Sequence, residues 1–187
     1  CFKGFKSISI AEDPAGKLWV GTETGLAWFD GSRFHRQAQQ DYSWHYSVSI
    51  DPKGRVVFGN NMADPAQQGI SWYDGSTYQV ITSPDKRTWT ETFWTMYDRR
   101  GRLWAGGRGG VEMYDRGKRT TWSTAQGLAS TNVLCLAEDR NGAIWAGTDG
   151  GGLSRIDSTT VTTWTTAEGL PNNVVWSIAE DAEGTLW

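Results

Sequence analysis

Cysteine, histidine and long apolar runs are all scarce in this chain, and each shortage closes a class of chemistry. Only Cys1 and Cys135 are present, too few for a disulfide framework. Cys135 holds the slot that Ser9 and Ser177 hold in related stretches, so its expected role is a small buried residue rather than a reactive thiol. Cys1 stands where a lipoprotein carries its acylated cysteine, yet the sequence reads as cut from a longer chain rather than processed. His35 and His45 are the only histidines. They are read as lying in one loop with no cysteine near, which argues against metal ligation. No stretch approaches the roughly 18 apolar residues of a membrane span, so this segment is expected to make no membrane contact. The net charge of −3 is scattered without a basic stripe, which disfavours nucleic acid as a partner. A nucleophile elbow, a phosphate loop and a dinucleotide fingerprint are all missing. Gly147-Thr148-Asp149-Gly150-Gly151-Gly152 leads into no helix and reads as a turn. No metal and no cofactor is expected.

What the chain has in excess is tryptophan, 12 residues, and glycine, 23 residues. Many aromatics and glycines without runs of helix formers point to strands and tight turns. These residues recur with a period. Asp13, Asp51, Asp98, Asp139 and Asp181 stand 38, 47, 41 and 42 residues apart. Each is followed three residues on by Gly16, Gly54, Gly101, Gly142 or Gly184, and three further by Trp19, Val57, Trp104, Trp145 or Trp187. A period near forty in a β-rich sequence marks a repeat architecture.

One unit shows the expected layout. Residues 132–138, 143–148, 152–157 and 160–165 read as four strands. Asp139-Arg140-Asn141-Gly142 is a tight turn in which Asp accepts from nearby backbone N–H groups and Gly takes positive φ. Residues 166–172 lead to the next unit. Four meandering strands per forty residues make a β-propeller blade, covered on both faces by its neighbours, with Trp as a broad filler between sheets. The expected fold is therefore all-β, a propeller of four-stranded antiparallel blades at about 1–41, 42–85, 86–127 and 128–169, with a partial fifth at 170–187. Residues 1–187 form one propeller region of about four and a half blades. Because propellers usually have four to eight blades, the count suggests a fragment of a larger one of the seven-bladed type, and the remaining blades would be partners of this segment.

Ser9-Ile10-Ala11-Glu12-Asp13-Pro14-Ala15-Gly16-Lys17-Leu18-Trp19-Val20-Gly21-Thr22 resembles the two-component regulator propeller repeat, as do residues 177–187 and the linking phrase Glu168-Gly169-Leu170-Pro171-Asn172-Asn173-Val174. The likeness is weakest in the second blade, where Val57-Phe58 replaces Leu-Trp and residues 60–68 are inserted. The resemblance implies a periplasmic sensing domain of a membrane-bound, often hybrid, histidine kinase that responds to breakdown products of polysaccharides. The kinase and other signalling domains would lie outside this chain. The repeat motif is structural, so the resemblance transfers no site residues.

A ligand site is expected where the repeat breaks. The Asp-x-x-Gly and Asp-Gly-Ser turns share one face of an up-and-down blade. The connections between strands two and three, and between blades, share the other. The stretches 35–45, 60–68 and 83–92 all fall on that second face, and function concentrates on variable loops. The expected lining is Tyr42, Trp44, His45, Asn60, Asn61, Arg87, Trp89 and Arg108: aromatic planes for sugar rings, with Asn, Arg and His for directional hydrogen bonds. A small-molecule or oligosaccharide ligand fits that set, and a non-enzymatic sensor is the leading reading. A propeller lyase or glycan-processing enzyme is the alternative and would draw on His45 with Asp64 or Glu91; Asp85 also breaks the repeat. A protein-interaction scaffold with a broad apolar patch is the second alternative.

Overall fold

The computed structural model describes residues 7–22, 25–37, 47–60, 69–81, 92–158 and 160–187. Among them sixteen strands form four antiparallel sheets. The first holds β1 (Ser7–Glu12), β2 (Leu18–Thr22), β3 (Gly25–Phe29) and β4 (Phe34–Arg36). The second holds β5 (Val48–Ile50), β6 (Val56–Asn60), β7 (Gly69–Tyr73) and β8 (Tyr78–Ile81). The third holds β9 (Thr92–Tyr97), β10 (Leu103–Gly107), β11 (Gly110–Asp115) and β12 (Lys118–Trp122). The fourth holds β13 (Val133–Glu138), β14 (Ile144–Thr148), β15 (Leu153–Asp157) and β16 (Thr160–Trp164). Strands follow chain order across every sheet, which is the blade of a β-propeller, as the period requires. After the fourth sheet, Ala179 and Trp187 exchange both backbone hydrogen bonds, at 3.0 and 2.8 Å, around the Asp181 turn.

Two details depart from the sequence reading. His35 is not in a loop: it lies in β4, its ring stacked 4.3 Å from Trp28 and its Nε2 2.5 Å from Asp30 Oδ2. The residues that follow the last strand of the third and fourth sheets are not plain linkers. Thr124–Gln126 and Thr166–Glu168 are single 3₁₀ turns, each closed by a capping box, Ser123 with Gln126 and Thr165 with Glu168.

The repeated aspartate explains why the period is so regular. Asp139 Oδ1 accepts from the N–H of Asn141 at 2.9 Å and of Ala143 at 3.0 Å, while Gly142 turns at φ 84°. Its Oδ2 accepts from Trp145 Nε1–H at 2.9 Å. One carboxylate thus closes the turn and orients the tryptophan six residues on. The same pair forms between Asp13 and Trp19, Asp98 and Trp104, and Asp181 and Trp187, each at 2.8 Å. In the second sheet Val57 leaves no indole, and Arg55 Nε takes its place on Asp51 Oδ2 at 2.6 Å. That guanidinium lies 4.1 Å from the centre of the Trp72 ring, so the aromatic moves to the neighbouring strand, where Trp72 pairs with Val57.

The chain divides into two compact units, Cys1–Tyr97 and Asp98–Trp187. In the first, Trp19, Leu26, Val48, Val56, Phe58 and Tyr73 form a buried cluster. Successive first strands are stitched by small hydroxyls. Ser9 Oγ accepts from Val48 N–H at 3.0 Å, and Ser47 Oγ accepts from Thr95 N–H at 2.7 Å. In the second unit Cys135 fills the equivalent slot and donates to Val175 O at 3.6 Å. It is buried, and burial raises its thiol to about 11, so it serves as the expected inert small residue. Cys1 lies outside the described residues. A strand-two glycine permits the close approach: a Cβ on Gly106 would sit 2.7 Å from Val133 Cγ1.

Turn residues add a latch in the second unit. Arg99 N–H donates to Glu138 Oε2 at 2.9 Å, and its guanidinium donates to Asp139 O at 2.6 Å and Arg140 O at 2.9 Å. Arg140 repeats this on Glu180, by backbone at 2.6 Å and Nε at 2.7 Å, and on Asp181 O and Ala182 O.

Asp98 carries the clearest consequence. Burial pushes its carboxyl up, but Trp104, the Arg102 backbone and the Arg102 side chain together hold it below the ordinary value. A depressed carboxyl contributes stability above its unfolded value near 4, and that contribution is lost as pH falls through the lower folded value. Asp98→Ala should cost about 2–3 kcal/mol at neutral pH, by stranding the buried indole and backbone donors. In urea titrations the gap between wild type and variant should narrow as pH falls from about 5 to 2.

Candidate functional site

Of the eight residues expected to line a ligand site, six (Tyr42, Trp44, His45, Asn61, Arg87 and Trp89) lie outside the described residues, as do Asp64, Asp85 and Glu91. Asn60 ends β6, where its backbone pairs with Gly69. Arg108 is described: it is exposed, in the connection from β10 to β11.

Around Arg108, in the second unit, the structure assembles a polar edge. Arg108 forms a backbone bridge with Asn132, at the entry to β13, and Gly109 N–H donates to Thr131 O at 2.9 Å. Asn132 in turn ties to the connection between β14 and β15. Its Nδ2 donates to Asp149 Oδ2 at 3.0 Å, and Asp149 N–H donates to Asn132 O at 2.9 Å. Asn132 Oδ1 is buried with no hydrogen-bond partner among the described residues. Asp149 is exposed. Arg108, Asn132 and Asp149 therefore lie along one edge on the face carrying the interblade connections. Such a set can donate to and accept from a polyhydroxylated molecule.

Asn132 and Asp149 were missed by reading for broken repeats, because both sit in a well-kept unit. A signal for them exists. Counting ten residues from each anchoring aspartate gives Glu23, Asn61, Arg108 and Asp149; counting seven back gives Lys6, Trp44, Glu91, Asn132 and Val174. These two spacings recur in the sequence, while the residue type at each varies. The structure brings one of each together at Arg108 and Asn132.

His35 belongs elsewhere. Its partner Asp30 closes the turn between β3 and β4, accepting from Ser32 N–H at 2.8 Å and Arg33 N–H at 2.9 Å. His35 first, then these backbone donors, hold the Asp30 carboxyl well below the usual range. That turn lies at the blade end opposite the interblade connections.

The two component regulator propeller family matches residues 6–24, 127–150 and 169–187, so three segments of this chain carry that repeat. Among solved structures, the extracellular domain described as that of the hybrid two component system BT3049 of B. thetaiotaomicron aligns over 100% of this chain and 26% of its own, at 22% identity and TM-score 0.80. The extracellular domain ascribed to the one component system BT4673 of the same organism aligns over 100% of this chain and 28% of its own, at 18% identity and TM-score 0.76. Virginiamycin B lyase of Staphylococcus aureus aligns over 97% and 62%, at 14% identity and TM-score 0.67. The chain thus spans about a quarter of the length of the two extracellular domains. At these identities the likeness establishes the propeller fold. No curated protein matches the chain.

The Asn132–Asp149 contact makes a local test possible. Asn132→Asp would place two carboxylates about 3 Å apart, and one would have to take up a proton. The variant should lose about 1–2 kcal/mol at pH 7 and recover most of it near pH 4, read from denaturant midpoints at the two pH values.

Proposed function

We propose that this chain is part of an extracytoplasmic sensor propeller of a two-component regulatory system, and that it binds a carbohydrate-derived signal on the face of its interblade connections. Signal output would come from kinase domains on the parent polypeptide. The observation that carries the reading is a regular repeat in which two spacings from the anchoring aspartate carry varied residue types. Arg108, Asn132 and Asp149 meet at one edge, and Trp44 and Asn61 fall at the same two positions by sequence spacing. Conserved geometry with variable polar and aromatic groups is how a repeat scaffold gains a specific ligand. Matches to the family repeat and likeness to two extracellular sensor domains support the sensing role and the location outside the cytoplasm.

Binding rather than turnover is the favoured mode. Carboxylates repeated in every unit are spent on turn closure, as at Asp98 and Asp139. The likeness to virginiamycin B lyase keeps an enzymatic reading in view, and His45, Asp64 and Glu91 are its residues to test.

Thermal shift against a panel of oligosaccharides checks the proposal. A bound sugar should raise Tm with concentration, and Arg108→Ala, Trp89→Ala and Asn61→Ala should each weaken binding by about tenfold, near 1.4 kcal/mol. The oligosaccharide should be recovered intact. Shifts that survive all three substitutions, or cleaved product, would overturn the reading.

A further inference from the structure

No basic stripe shows in the sequence, but the fold builds a basic end on the third blade. Residues 98–119 hold seven Arg and Lys against three Asp and Glu, in a chain whose net charge is −3. The β9–β10 turn carries Arg99 and Arg100, and the β11–β12 turn carries Arg116 and Lys118. Because β10 and β11 are paired neighbours, both turns lie at one end of the sheet. That end is opposite the interblade connections, and this blade stands away from both ends of the chain.

Part of the charge is already answered. Arg102 pairs with Asp98 at 2.5 Å and Arg119 with Glu112, while the Arg99 guanidinium donates to the carbonyls of Asp139 and Arg140. Arg100, Arg116 and Lys118 are exposed. Arg116 has Asp115 3.8 Å away, yet its side chain is 95% exposed.

The backbone marks the same place. Among the described residues, Arg116 (φ 47°) and Ser158 (φ 54°) are the only non-glycine residues at positive φ. They hold one slot in successive blades, where the first and second blades have Gly31 and Gly75 at φ 96° and 101°. Glycine takes this conformation freely, and a larger residue does so at a cost. The exposed Arg116 side chain repays none of it by packing, and such strain collects where a side chain serves a ligand. The fourth blade continues the surface with neutral groups. Asn141, Ser158 and Thr160, at the slots of Arg100, Arg116 and Lys118, are all exposed. Arg99 N–H on Glu138 Oε2 at 2.9 Å brings the two aspartate turns together, so cations stand beside amide and hydroxyl groups.

We propose that this end binds an acidic polysaccharide, a polymer presenting sulfate or carboxylate groups among hydroxyls. Arginine and lysine match the oxyanions, and Asn141, Ser158 and Thr160 match the hydroxyls. Residues 98–102 and 115–118 contain no aromatic or aliphatic side chain. The turns therefore offer no stacking platform for single-stranded nucleic acid, no apolar wedge for a bilayer and no apolar centre for a protein partner. This surface is separate from the edge at Arg108 and does not depend on the reading of that edge.

Binding of the 187-residue chain to heparin, polygalacturonate and neutral dextran at low and high salt tests this. At least one acidic polymer should bind, more weakly as salt rises, and dextran should not. Arg100→Asn, Arg116→Ser and Lys118→Thr install the fourth-blade residues at those slots. Each should weaken binding about threefold, and all three together about thirtyfold, with Tm unchanged. Arg33→Thr removes an exposed cation from the Lys118 slot of the first blade and should leave the affinity as it is. Failure to bind either acidic polymer, an equal loss in Arg33→Thr, or tighter binding to poly-glutamate, duplex DNA or phosphatidylglycerol vesicles overturns the proposal.

Discussion

Every blade begins with the same carboxylate serving two masters. A β-hairpin with a four-residue turn is only marginally stable alone, and an indole is large enough to pack in several ways. By accepting from the turn's own N–H groups through one oxygen and from Trp Nε1–H through the other, the aspartate makes each condition depend on the other. The tryptophan is placed by the closed turn, and its N–H in turn holds the carboxylate that closes it. The same carboxylate has four donors at Asp98, the N–H groups of Arg100 and Arg102, Arg102 Nε and Trp104 Nε1. That is enough to outweigh the cost of burying it.

Blade contact follows from this local order. Fixing the strand pair presents a bare backbone at glycine to the next first strand, and a small hydroxyl or thiol bridges the two. Larger residues at Gly106 or Gly147 would push the next first strand away: a Cβ would fall 2.7 Å from Val133 Cγ1 at Gly106 and 2.8 Å from Val175 at Gly147. The second blade shows how far the scheme bends. It gives up the strand-two tryptophan and keeps the aspartate, recruiting Arg55 as donor and Trp72 as the flat surface. The aspartate is therefore the invariant of the unit and the tryptophan its commonest partner.

Much of this was legible from spacing. The Asp-x-x-Gly period placed the blades, and the strands of residues 132–165 fell within a residue of their observed bounds, because turn chemistry and strand length are local properties. What spacing could not reveal was long-range in side-chain space. The Asp–Trp hydrogen bond looks, in sequence, like two separate structural residues six apart. The Arg99–Glu138 latch joins positions 39 apart, and nothing local marks either as a partner. His35 was misjudged because a loop rich in polar residues and a short edge strand share a composition; its ring stack on Trp28 and its bond to Asp30 decide the matter.

The candidate polar edge was legible only in part, for a related reason. Searching for interruptions of the repeat favours insertions, and it led to Arg108 while passing over Asn132 and Asp149, which the structure places beside it in a unit without any. Yet a repeat protein need not break its fold to bind a ligand. Residues that close turns or fill seams must recur, so they carry no information about what is bound. The information has to reside at positions that recur in space and differ in identity. By sequence spacing alone, Glu23, Asn61, Arg108 and Asp149 stand at one candidate position, and Lys6, Trp44, Glu91, Asn132 and Val174 at the other. Arg108 and Asp149, ten residues after their aspartates, are both exposed, so packing does not dictate their identity. Residues freed from turn closure and seam packing are the ones a repeat scaffold can vary at no cost to its fold.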